Sequence, residues 1–430
     1  MPISLAHRFI PFALAAAAAL LFAWTAPTAA AEKIKIEYWT WDPTIQEITV
    51  AMAEAFMQLH PHIEVEVLTQ PWQDYWDKLA ILNADQSPPD VYNMSVAYAW
   101  DYANEGLIYN LEPFLAELPR DEYFFTIMDD LRYPTRRDDL YAFPFGWVAS
   151  VLFHNRELFD QAGQVYPDET WDWFTLREVA KKLTRDVNGD GVNEVWGFLS
   201  GSNHELLDSV VYSWGGAVLD ESQRKSLLHH EKSVEAIQFL VDLIHVDQAA
   251  PPPGVAASFL NGQVAMQVTN SVLINRIVDS APELDWGITM VPKGPERRVI
   301  YGGPDSVAIS KYTKHPEAAW EFVKFLIGPN RPVGSDVRGR VPINRKLALD
   351  PAWIEWSGGL ERGVATLYES APWVRGADFG TTKWMEWRVS AMNQALAPAF
   401  AAQSSVEEAA RKASEAIDVI LNTTVCRACP

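Results

Sequence analysis

The stretch Tyr141 to Arg156, YAFPFGWVASVLFHNR, constrains the fold of this chain more than any other. Pro144 and Gly146 interrupt the backbone, Trp147 follows at once, and then comes the apolar run Val148-Ala149-Ser150-Val151-Leu152-Phe153. A run of that length, rich in β-branched residues and bounded by turn formers, reads as a buried strand. Strands and helices are written on both sides of it. It is therefore read as the first crossover between two lobes, with Trp147 at the mouth of the cleft between them. A core strand inside one domain is the alternative that periodicity alone leaves open.

Upstream, Ile34 to Tyr38 and Ile63 to Val67 alternate apolar and polar residues, as half-buried strands do. Between them Asp42 is a candidate N-cap with Pro43 in the first helical position, and Ile45, Ile48, Met52, Phe56 and Leu59 form one helical face. Trp72, Tyr75, Trp76, Leu79 and Leu82 mark a second helix, Val91 to Met94 a third strand, and a helix from about Ala97 ends at Gly106. Alternation of this kind indicates an α/β lobe with a largely parallel sheet. Downstream, Thr175-Leu176-Arg177-Glu178 has the form of a capping box. A helical region covers Ser209 to Trp214, and Ser233 is a candidate cap for a helix carrying Val234, Ile237, Leu240, Val241 and Ile244. Val264 to Val268 is a second candidate crossover strand; His315-Pro316 opens a helix that Gly328-Pro329 closes, and Val406 to about Leu421 forms the last one.

The N-terminus carries Arg8, an apolar segment from Phe9 to Trp24, and Ala29-Ala30-Ala31. That is the order of an export signal, with cleavage expected just before Glu32. The apolar segment is shorter than the roughly 20 residues of a membrane span, and no later segment is apolar enough for one. The mature protein is expected to be soluble and periplasmic. The formal charge of -21 becomes -22 when Arg8 is removed. Such acidity argues against nucleic acid and anionic membranes as partners, which need clustered Lys and Arg. Cys426 and Cys429 are the only cysteines and read as a small terminal disulfide in an exported chain.

No nucleophile elbow, metalloprotease helix, phosphate-binding loop or dinucleotide fingerprint is present. No catalytic residue, cofactor or metal is assigned. Asp186-x-Asn188-x-Asp190-Gly191-x-x-Glu194 follows the first nine positions of a calcium loop, but the twelfth is Gly197 where a bidentate Glu belongs; a plain Asx-rich turn is the alternative. Tryptophan is the strongest compositional signal: 18 in the chain, 17 of them beyond the export segment that holds Trp24. Several stand where a strand gives way to a loop, and ligands of open α/β sheets bind beyond the carboxyl ends of strands. Indole faces interleaved with Asp, Asn, Ser and Arg suit a neutral polyhydroxylated ligand, while core packing accounts for others such as Trp76 and Trp320.

Five stretches, in order, carry a resemblance: YAFPFGWVASVLFHNRELFDQAG at 141–163, TWDWFTLREVAKKLT at 170–184, SVEAIQFLVDLI at 233–244, SFLNGQVAM at 258–266, and DSVAISKYTKHPEAAWEFVKFLIGP at 305–329. From Ile34 to Leu421 the chain resembles extracellular solute-binding proteins of family 1, the sugar-binding receptors of ABC importers related to maltose-binding protein. The resemblance implies an α/β, two-lobe periplasmic binding protein-like fold of type II, with the ligand cleft between lobes. It implies crossings near 143–149, 267–271 and 328–333. Lobe 1 is then 32–145 with 271–329, and lobe 2 is 146–270 with 330–430. The ligand-binding residues it implies are Trp41, Asp42, Trp72, Ser95, Trp147, Trp214, Gly215, Asn270, Gly302, Gly303, Asp305 and Arg340. An aromatic usually follows the Asn turn, but Val272 stands here. The implied function is non-enzymatic: binding a mono- or oligosaccharide or sugar alcohol and delivering it, as a monomer, to permease subunits. A secreted carbohydrate-cleaving enzyme and a receptor for phosphorylated or cationic solutes are the competing readings.

Overall fold

The computed structural model describes residues 33–133, 138–332, 338–375, 381 and 383–423. The expected export segment and the Cys426/Cys429 pair lie outside the described residues. Strand β1 (Ile34–Thr40) leads through a short turn into helix α1 (Gln46–Leu59), then β2 (Ile63–Thr69), α2 (Trp72–Ala84), β3 (Val91–Ser95) and α3 (Val96–Glu105). β1 runs parallel to both β2 and β3. Their carboxyl ends, at Thr40, Thr69 and Ser95, therefore share one edge of the sheet. Helices cover the faces because the strands carry large apolar residues inward: Tyr38 packs edge-on against Phe322, which in turn meets Phe56 of α1.

The long strand expected at the crossover is β4 (Phe143–Asn155), and 12 of its 13 residues are buried, all but Val148. It serves two sets of neighbours. Its first half, Phe143 to Ala149, pairs antiparallel with β7 (Ile300–Ile309). Its second half, Ser150 to Asn155, pairs with β5 (Met266–Asn270) and β6 (Trp286–Thr289). β7 continues the first set by pairing with β3, so that Ser95 faces Asp305. The short strand β8 (Val341–Pro342) closes the other side of β4 at Trp147 and Gly146. Helix α7 (Pro316–Ile327) belongs with the first lobe, where its Trp320 meets Phe143. The second lobe is built from α4 (Trp173–Leu183), α5 (His204–Ser213), α6 (Glu231–His245) and the C-terminal α8 (Val406–Asn422). The chain thus has the two-lobe fold of periplasmic binding proteins.

Some sequence expectations need correcting. All of β5 pairs with the second half of β4, so the chain does not leave that lobe at 267–271. The strand that runs back beside the crossing half is β7. The box at Thr175 is not a cap: Asp172 caps α4 by accepting from the Thr175 amide at 2.7 Å. Ser233 lies inside α6, and its hydroxyl donates to the Ala217 carbonyl instead. Asp42 precedes a 3-10 turn, Pro43–Ile45, and its carbonyl accepts from the Ile45 amide at 3.3 Å. Among the described residues no helix is long and apolar enough to cross a membrane.

Candidate functional site

Three aromatic side chains gather at the carboxyl edge of the first lobe, one beyond each parallel strand. Trp41 follows β1, Trp72 opens α2 after β2, and Tyr98 stands in the first turn of α3 after β3. Trp41 and Trp72 meet edge to face with centroids 5.2 Å apart. Trp72 lies 6.3 Å from Tyr98, and Trp76 beneath them stacks on Tyr98 at 4.0 Å. Trp76 is buried, whereas Trp72 is 38% exposed and Trp41 half-buried. The result is an indole-lined wall with a solid aromatic backing.

The polar groups of the same edge come from β3, β7 and the segment before β8. The Ser95 hydroxyl caps α3 by accepting from the Ala97 amide. Opposite it, Asp305 accepts from Arg340 Nε at 2.7 Å, and the Arg340 side chain is 9% exposed. Gly146 makes this possible, because a Cβ there would stand 2.8 Å from Arg340 Cγ. Ser271 ties the same segment down by donating to the Gly339 carbonyl at 2.6 Å. Gly302 and Gly303 lie beside Ala149 and Val148, and a Cβ on Gly302 would reach the Val148 carbonyl at 2.6 Å. Gly302 thus lets the two strands approach.

The second lobe offers a different set. Asn270, at the end of β5, donates to Glu205 at 2.9 Å in the first turn of α5. The neighbouring His204 ring meets Tyr301 at 5.1 Å and Trp384 at 5.8 Å. Burial holds its pKa below the ordinary histidine value, against the raising influence of Glu205. Arg375 stacks over Tyr212 at 4.0 Å, and Trp373 beside it is 42% exposed. Asp101 of α3 reaches across to the Lys383 amide at 3.2 Å, and burial raises its pKa to about 6.

Two expected stacking faces are not available. Trp147 is fully buried and packs against Phe124 at 6.1 Å. Trp214 ends α5 far from its cleft-side start, about 15 Å along a ten-residue helix. There it is walled in by Phe239 at 4.9 Å, Phe174 and Trp173. Gly215 next to it supplies the positive φ that stops the helix. Trp41, Asp42, Trp72, Ser95, Asp305 and Arg340 do converge on the first-lobe edge, and Asn270 lies on the second-lobe side of the crossing. Tyr98, His204, Glu205 and Tyr301 went unread in the sequence. Tyr98 could have been found, since it stands just after β3 as Trp72 stands just after β2.

The calcium-like loop is a self-closed turn. Asp186 accepts from the amides of Gly189 and Gly191, and Glu194 from the amide of Val187. A twelfth-position Glu has no room, because a Cβ on Gly197 would lie 1.9 Å from the Ala180 carbonyl. The three carboxylates of Asp186, Asp190 and Glu194 do converge, but the donor set lacks its bidentate member.

With this geometry in place, residues 41–330 match the family model described as bacterial extracellular solute-binding protein. The chain belongs to that family. Within the solute-binding family, a putative binding protein of Brucella abortus is 25% identical over 312 residues, covering 69% of this chain and 72% of that one. The arabinooligosaccharide-binding protein of Bacillus subtilis is 24% identical over 341 residues, covering 75% and 74%. Among solved structures, an ABC substrate-binding protein from Listeria monocytogenes in complex with cycloalternan superposes with a TM-score of 0.77 at 20% identity, covering 91% of this chain and all of that one. The sugar-binding protein MalE from Xanthomonas citri gives 0.78 at 18%, covering 90% and 97%. Both establish the fold.

Proposed function

We propose that this solute-binding protein takes a carbohydrate between its lobes and delivers it to a membrane permease without chemical change. The observation that carries this reading is the wall of Trp41 and Trp72 at the carboxyl ends of parallel strands, on the same sheet edge as the Asp305–Arg340 pair. An indole removes the C–H face of a sugar from water at roughly 25 cal/mol per Å², while Asp, Asn, His and Arg exchange hydrogen bonds with its hydroxyls. Relatives named for arabinooligosaccharide and maltotriose binding support the ligand class. The leader segment supports export to the periplasm, and a monomer is the expected form.

The lobes are proposed to hinge where β4 and β7 run side by side. Lobe 1 then comprises the chain up to about 146 and from about 305 to 328, and lobe 2 the remainder. A ligand touching both lobes favours the closed form only by its excess affinity for that form. Calorimetry on a panel of mono- and oligosaccharides, polyols and sugar phosphates tests the proposal. Stoichiometric binding of a neutral sugar without turnover supports it. Multiple-turnover cleavage would identify an enzyme, and binding restricted to sugar phosphates would overturn the neutral-ligand reading.

A further inference from the structure

The outer face of the first lobe carries a groove between α2 and α3 with a volume of about 600 Å³. That is the size of a small-molecule site. It starts near the cleft rim at Gln73 and Tyr98 and runs toward Gln86, Leu107 and Tyr312 at the opposite end of the sheet. Leu107 lies at that far end because it accepts from the Lys311 amide, beyond the last residue of β7. The hollow exists because Ala80 and Ala84, four residues apart on α2 and so on one face, project nothing past Cβ. The groove is thus not the interlobe cleft, although the Trp76–Tyr98 stack is a wall of one and the backing of the other.

Its lining has one sign of charge. Asp77 of α2 and Glu105 of α3 stand on opposite sides, and among the described residues no Lys or Arg lines it. Asp77 accepts from Gln73 at 3.2 Å and has no ion-pair partner among the described residues. Asp101 lies one turn before Glu105 and adds to the field, and its carboxylate is turned to the Lys383 amide. Of the nearby cations, Lys78 donates to Gln70, Lys311 sits over the Tyr109 ring at 4.4 Å, and Lys383, whose charge also acts on Asp101, pairs with Glu386 at 3.7 Å. Between the carboxylates lie the rings of Trp76, Tyr98 and Tyr102. The Tyr98 and Tyr102 hydroxyls are held protonated by burial and by the neighbouring carboxylates. The floor includes Asn83, whose Nδ2 donates to the Leu79 carbonyl and whose buried Oδ1 has no hydrogen-bond partner among the described residues. Unpaired carboxylates flanking aromatic faces attract a cation twice over, by Coulomb's law and through the ring quadrupole.

We propose that this groove is a second binding site, for a small organic cation bearing an amine or guanidinium group. Asp77 and Glu105 hold the cationic ends, and Trp76 with its tyrosine neighbours packs the carbon chain. The site stands whether or not the cleft binds sugar.

The test is calorimetry of the full-length mature protein with agmatine, which carries both groups, and with neutral 1,4-butanediol as control, in about 150 mM salt to screen diffuse attraction to the acidic surface. The expected result is one saturable agmatine site and no butanediol binding. Asp77→Asn with Glu105→Gln should weaken agmatine about tenfold or more, with an unchanged melting curve because both residues are exposed. Ala84→Lys, which puts a tethered ammonium into the hollow, should abolish binding. Asp305→Asn, on the cleft side and outside the groove lining, should leave agmatine affinity within about twofold. Absence of saturable binding up to about 10 mM, weaker than about 3 kcal/mol of binding free energy, would overturn the proposal. So would an unaffected double variant. Loss of agmatine in Asp305→Asn would place the cation in the cleft and overturn it equally.

Discussion

Each lobe holds a tight aromatic cluster, and the two do opposite work. Around Trp41 and Trp72 the rings stand on a sheet edge where three parallel strands end, and one of them is 38% exposed. Around Trp214 and Trp173 the rings lie under helices α4, α5 and α6 and are 6% and 0% exposed. Composition treats these clusters alike. What separates them is backbone direction: strands running side by side must stop together, and the residues just beyond them have no neighbour above. A residue at the end of α5 is met by the next helix. In an open α/β sheet, the cluster that caps the carboxyl edge is the candidate binding face.

The difference can be broken by mutation. Trp147→Ala and Trp214→Ala should each lower unfolding stability by about 3–5 kcal/mol, the range for emptying a buried aromatic site, as read by denaturant titration. Ligand affinity in the fraction that stays folded should be spared. A stable Trp214→Ala protein with weakened binding would return Trp214 to the site. Trp72→Ala should do the reverse: about thirtyfold weaker sugar binding, near 2 kcal/mol, with stability changed by less than about 1 kcal/mol. Equal losses of stability in Trp72→Ala and Trp214→Ala would erase the distinction between the clusters.

A further variant sharpens the comparison at the seam between lobes. Arg340→Ala leaves the 24%-exposed Asp305 carboxylate without its partner. The cost should be about 2 kcal/mol, below that of a fully buried pair because solvent reaches the acid. Scattering curves taken with and without ligand would show whether closure is affected as well.

The smallest effect per unit change is a pH slope in the second lobe. His154, in the second half of β4, is pushed down to about 3 by burial and by the nearby Arg156. Its unfolded pKa is about 6.5. Folded protein then holds fewer protons than unfolded protein between those values. The contribution is complete above pH 6.5 and falls as the pH drops toward 3, at up to about 1.4 kcal/mol per pH unit. Denaturant midpoints measured from pH 7 to 4 should fall less steeply in His154→Gln. Identical slopes would show that His154 does not set acid sensitivity.

Much of the fold was legible because local rules and the final packing agree. The long strand at 143–155, the helix between His315-Pro316 and Gly328, and the last helix from Val406 announce themselves by periodicity and punctuation. Trp41, Trp72 and Ser95 were legible as neighbours of strand ends. The Thr175 box misled because Asp172, three residues earlier, offers a better acceptor to the same turn. Trp147 misled because a break before a strand looks the same whether the next ring points to solvent or to Phe124.

By itself the sequence determined the α/β alternation, the long central strand and the family, since each rests on patterns within a few tens of residues. Only the tertiary structure decided which partner each half of β4 takes, and therefore that β7, not β5, accompanies the crossing. It also decided which tryptophans keep a free face and that Asp305 meets Arg340. Those outcomes depend on contacts between segments far apart in the chain, and burial is a property of the neighbours a residue acquires on folding.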